Sequence, residues 1–95
     1  MTDRVLIDED SIPKFPVHVK LRFNKQREQW VVLAPERLLV PDETSLEILQ
    51  HCDGEVSVSG IVDVLAEKYD APHETIGKDV IELLQGLADK GFIVT

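Results

Sequence analysis

Residues 17–41 read VHVKLRFNKQREQWVVLAPERLLVP, and the periodicity of this stretch decides the fold class. Val17, Val19, Leu21 and Phe23 alternate with His18, Lys20 and Arg22, the two-residue period of a half-buried strand. Residues 24–28 are polar and turn-like. Residues 29–34 follow as a second strand, rich in Val and Trp and apolar on both faces. Pro35 then supplies the fixed φ that a tight turn requires, ahead of a third short strand made of Arg37, Leu38, Leu39 and Val40. Pro41 ends that strand, because proline has no N–H for a ladder and holds the preceding residue extended.

Beyond Pro41 the period becomes helical. Asp42 or Thr44 can cap a first helix carrying Leu46, Ile48, Leu49 and Cys52 up to the stop at Asp53-Gly54. Ser57 opens a second helix with Val58, Ile61, Val62, Leu65 and Tyr69 at three-and-four spacing, broken by Asp70-Ala71-Pro72. A third helix is predicted over 74–90, with Gly91 as its C-terminal cap, and Phe92-Ile93-Val94 is a final extended segment that can fold back on the core. The expected architecture is α+β and winged-helix-like: a three-stranded antiparallel sheet followed by three α-helices. Residues 1–16 contain Pro13 and Pro16, an acidic patch and the apolar triplet Val5-Leu6-Ile7 without sustained periodicity. They are expected to be a flexible N-terminal arm on a single domain of residues 17–95.

The composition bounds the function. Ninety-five residues allow one hydrophobic core, and 43% hydrophobic with 29% charged side chains is ordinary globular usage. The longest apolar run, residues 30–34, is far short of the roughly 20 residues of a membrane helix. An acidic N-terminus lacks the basic start of a secretory signal, so a cytoplasmic protein without membrane contact is expected. One cysteine, Cys52, excludes an internal disulfide. A net charge of −8 argues against general binding to polyanions, although residues 1–40 carry net +1 and residues 41–95 net −9, giving a basic and an acidic end.

No active site is expected. His51 and Cys52 are helix neighbours pointing about 100° apart, and neither they nor His18 and His73 have the spacing of metal ligands. The glycines fit no phosphate loop, so no cofactor is implied. A third helix with Lys78 and Lys90 against Glu74, Asp79, Glu82 and Asp89 is unsuited to a DNA groove. Two features are left. The third strand is apolar on both faces and ends the sheet, and such an edge is covered either by the chain's own loop or arm, or by a bound peptide. The third helix has a core stripe of Ile76, Val80, Leu83 and Leu87 and a second stripe of Gly77, Ile81, Leu84 and Ala88. That second stripe is either the wall of a groove or simply another packed side.

Three strings, Val32-Leu33-Ala34-Pro35-Glu36-Arg37, the span from Leu46-Glu47-Ile48-Leu49 to Cys52-Asp53-Gly54, and Leu83-Leu84-Gln85-Gly86-Leu87-Ala88-Asp89-Lys90-Gly91-Phe92-Ile93, together resemble the PqqD family over about residues 13–95. PqqD proteins are peptide chaperones of pyrroloquinoline quinone (PQQ) biosynthesis. The resemblance implies a non-enzymatic recognition element that binds a ribosomally made precursor peptide. It also implies delivery of that peptide to a radical-SAM maturase, which cross-links a Glu to a Tyr within it. In this class the peptide adds a strand to the third strand and lies against the third helix. The positions implied here are Arg37, Leu38, Leu39 and Val40 with Ile81, Leu84 and Ala88. Ser45 stands where the family more usually has Ala. The alternative is a homodimerisation module that uses the same exposed edge, with the arm exchanged between copies.

Overall fold

The computed structural model describes residues 5–95, and residues 1–4 of the arm lie outside the described residues. Three strands, β1 (Lys20–Asn24), β2 (Gln29–Ala34) and β3 (Arg37–Leu39), form an antiparallel sheet in the order β1-β2-β3. Three helices follow: α1 (Glu43–Leu49), α2 (Val58–Tyr69) and α3 (His73–Asp89). The expected α+β order of strands and helices is therefore present.

Local chemistry explains each boundary. β1 starts at Lys20 rather than at the expected Val17, because the Val19 N–H donates to the Pro16 carbonyl in a turn and Val17 is left 90% exposed. The β1–β2 turn is closed by the Asn24 side chain, which accepts from the N–H groups of Gln26 and Arg27. The β2–β3 loop is only Pro35-Glu36, with Glu36 in the left-handed region at φ +61 behind the proline. Asp42 caps α1 by accepting the Ser45 N–H at 2.8 Å. α1 ends at Leu49, short of the expected Cys52, because His51 and Cys52 donate to carbonyls three residues back and tighten the exit. Gly54, at φ +82, then turns the chain.

The end of α3 is a Schellman motif: Phe92 N–H reaches the Leu87 carbonyl, and Gly91, at φ +83, donates to Ala88. The motif swings Phe92 and Ile93 into the core and delivers Val94 to Lys14, where two backbone bonds of 2.9 Å join the two ends of the domain. Residues 5–16 are consequently laid along the helices. The Ser11 and Glu9 carbonyls accept the Val58 and Ser59 N–H groups, while the Ser57 hydroxyl accepts from Gly60, so the first turn of α2 has its free donors satisfied largely by the arm. Ile7 is 7% exposed and Pro13 is fully buried.

Core and flank on α3 differ from the sequence expectation. Leu84, expected on the second stripe, is 0% exposed and forms the buried line with Val80 and Leu87. Leu83 and Ile76, expected in the core, are half-buried on one flank, and Ile81 and Ala88 are half-buried on the other. The helix is rotated about its axis from the expected setting, which centres its inward face between the two stripes. Leu84→Ala should therefore cost about 2–5 kcal/mol by denaturant unfolding, and Leu83→Ala distinctly less. Equal losses would contradict this placement of the core.

Candidate functional site

β3 has one partner among the described residues, β2, in the register Val32↔Leu39, Leu33↔Leu38 and Ala34↔Arg37. A two-residue loop closes on a hydrogen-bonded pair, here Ala34 and Arg37, and the bonding then alternates along an antiparallel ladder. Leu33↔Leu38 is consequently the non-bonded pair, and the Leu38 N–H and C=O point away from β2 into the open edge. Side chains alternate as well: Arg37 and Leu39 face the helices, whereas Leu38, 58% exposed, shares the outer face with Leu33. The Arg37 guanidinium lies over the Phe92 ring, 4.5 Å from its centroid, so the one charge of the strand is held against the core. Val40 lies just beyond the strand and is exposed.

On the helix side the expected residues separate. Ile81 and Ala88 are partly open on one flank of α3, while Leu84 beneath them is sealed in the core and offers no surface of its own. Sequence reasoning passed over Gln85. Its carboxamide Oε1 accepts the Ile7 N–H at 2.9 Å and its Nε2 donates to the Val5 carbonyl at 2.7 Å, so an extended segment of the arm is already held on this flank. A polar residue at the outer margin of the second apolar stripe carries no periodic signal that marks it.

The rest of the surface offers little chemistry. A cleft of about 200 Å³ between the helices is lined by Thr44, Ile48, Leu65, Tyr69, Ile76 and Val80, below the usual size of a small-molecule site. At its rim Glu47 accepts from Lys68 and from the Tyr69 hydroxyl. These bonds, Lys68 first, hold its carboxyl below the ordinary range. No group of three or more potential metal ligands occurs among the described residues, and no described helix is long and apolar enough to cross a membrane.

Cys52 is buried, with its thiol donating to the Ile48 carbonyl, and burial, aided by the Asp53 charge, pushes it from 9.0 up to about 12. The folded protein thus keeps a proton that the unfolded chain releases. This contribution to stability is intact below about pH 9 and is lost as the pH climbs toward 12. Urea unfolding at pH 8 and pH 10.5 should show a steeper alkaline fall for the native chain than for Cys52→Ala. Parallel falls would contradict the burial of this thiol.

Comparison with known proteins shows the family and the fold. The family model for Coenzyme PQQ synthesis protein D (PqqD) matches residues 29–93. A "PqqA binding protein" of Rhodopseudomonas palustris (strain BisB5) is 55% identical over 89 residues, covering 94% of this chain and 87% of that protein. Its counterpart from Bradyrhizobium diazoefficiens is 54% identical over 89 residues, covering 94% and 86%. The solution NMR structure of the PqqD truncation of Methylobacterium extorquens PqqCD, described as a functional, stand-alone RiPP recognition element, superposes with a TM-score of 0.79. It is 35% identical, with 94% of this chain and 95% of that chain covered. The crystal structure of PqqD from Xanthomonas campestris, 40% identical with 88% and 93% covered, gives 0.55.

Proposed function

The chain belongs to the PqqD family, and from that premise we propose that it binds the ribosomally made precursor peptide of PQQ biosynthesis along the open edge of β3 and presents it to a radical-SAM maturase. The observation that carries the reading is the outward-facing N–H and C=O of Leu38 on a strand edge that has no partner among the described residues and whose one charge, Arg37, is turned onto Phe92. A bare edge of this kind is a template for another strand, which supplies main-chain hydrogen bonds for affinity and alternate side-chain contacts for specificity. Two further features support it. Relatives more than half identical carry the name PqqA binding protein, and a solved PqqD relative is described as a stand-alone RiPP recognition element. The bound segment would lie with Leu39 and Arg37 on its inner side, facing Ile81 and Ala88 over the sealed Leu84. Its expected setting is the cytoplasm, where a ribosomal precursor is made. The protein's role is to hold and present, and the bond-making belongs to the maturase.

Proline at Leu38 tests the edge without breaking the sheet, because the N–H it removes points outward and edge strands accept such a proline. Titration of labelled precursor peptide should show Leu38→Pro weakened at least about tenfold, roughly 1.4 kcal/mol, while Leu38→Ala, which keeps the N–H, loses less. Unchanged affinity in a folded Leu38→Pro would overturn the proposal. If the edge instead pairs with a second copy of this chain, light scattering over a concentration series would show a dimer that Leu38→Pro dissolves.

The outer sheet face also carries Lys20 and Arg22, in the register of Leu33 and Val31. These charges would steer an acidic partner toward the sheet. Reversing both to Glu should slow association and flatten its dependence on salt, as read by stopped-flow mixing. Identical salt slopes in the two proteins would contradict steering.

A further inference from the structure

The arm makes an unusual contact. The two backbone groups held by Gln85, the Val5 carbonyl and the Ile7 N–H, belong to residues two apart, which in an extended chain point to the same side. One carboxamide bonding both does what a single residue of a neighbouring parallel strand does with its own N–H and C=O. Gln85 Nε2 also donates to Asp89 Oδ1 at 3.0 Å, which orients the amide for this task. The arm segment alternates accordingly: Ile7 is buried in the core cluster and Val5 packs against it, while Leu6 between them is 69% exposed. A strand-like segment is therefore seated on the side of α3, read through its backbone.

Gln85 lies four residues after Ile81 and three before Ala88, so the seat coincides with the flank assigned above to the peptide. The β3 edge meanwhile has no partner from the arm among the described residues. The two halves of the site thus differ: the strand edge is open and the helix flank is filled. The anchorage of the arm is graded in the same direction. From Asp8 onward it is fixed by the Asp8–Ser11 turn, by the two carbonyls on the first turn of α2 and by the Lys14–Val94 pair. Residues 5–7 precede every one of these ties.

We propose that the flank of α3 formed by Ile81, Gln85 and Ala88 is a receiver for extended backbone, which the chain's own residues 5–7 occupy until a bound peptide takes their place. The inference rests on the functional reading above and deepens it: Gln85 becomes a peptide-binding residue, and the arm an intramolecular competitor hinged at Asp8. Recognition through the backbone lets one segment replace another without a matching sequence, provided both present apolar side chains at alternate positions. A site whose competent form is only partly populated binds with an affinity reduced by that fraction.

Ile7→Ser in the full chain removes the apolar anchor and leaves every tie from Asp8 onward. Titrated with labelled precursor peptide, it should bind about three- to tenfold more tightly than the native chain, with its circular-dichroism melt still cooperative. A chain lacking residues 1–7 should show the same gain, and adding Gln85→Ala to that truncation should lower affinity again. In the native chain, the Ile7 amide should exchange faster with solvent once peptide is saturating. Binding that is unchanged or weaker in both arm variants, or an Ile7 amide that keeps its protection under saturating peptide, would overturn the competition while leaving the β3 proposal standing. Failure of every variant to bind the precursor would overturn the functional reading itself.

Discussion

A three-stranded antiparallel sheet ends in two rows of backbone groups that the sheet cannot satisfy, and the way this chain treats each row governs everything built around it. The β1 side carries Lys20 and Arg22, charged residues of the kind that discourage another strand from joining. The β3 side carries Leu38 and Leu39, and its arginine is folded back onto Phe92. The second edge is left chemically receptive. Burying that row under the chain's own loop would make a more self-contained domain; leaving it open gives the proposed peptide a place to add a fourth strand.

Keeping a receptive edge requires the remainder to be tightly determined, because the sheet alone cannot support itself. The inner part of the arm and the C-terminal segment meet in the Lys14–Val94 pair, and the Schellman turn at Gly91 drives Phe92 and Ile93 into the core. The same Phe92 seats Arg37, so the helix terminus fixes the strand that presents the edge. The turn at Gly54 plays a matching role at the other end, its N–H donating to the Pro13 carbonyl. Two motifs that read in the sequence simply as helix stops prove to be the places where strand, arm and helix are tied together.

Much of this was legible in the residues. The switch from a two-residue to a helical period at Pro41, the cap at Ser57 and the glycine after α3 rest on local chemistry and stand where the sequence put them, and of the two α1 caps it offered, Asp42 and Thr44, the structure uses Asp42. Packing was less legible. Two adjacent apolar stripes on α3 left the choice of inward face to the neighbours, and Leu84 went inward while Leu83 stayed at the margin. The arm was the least legible part: the bonds of Gln85 to Val5 and Ile7 span about eighty positions and follow no period. Apart from the proline-rich punctuation there was nothing in residues 5–16 to say that they complete the first turn of α2.

The central claim is that a peptide joins the sheet at β3, and amide hydrogen exchange at Leu38 examines it most directly. This N–H points into the open edge in the free protein, so it should exchange readily there and become protected by at least an order of magnitude when saturating precursor peptide adds a strand. If Leu38 exchanges at the same rate with and without peptide while amides elsewhere slow, the peptide binds at another surface and the account built on this edge is contradicted.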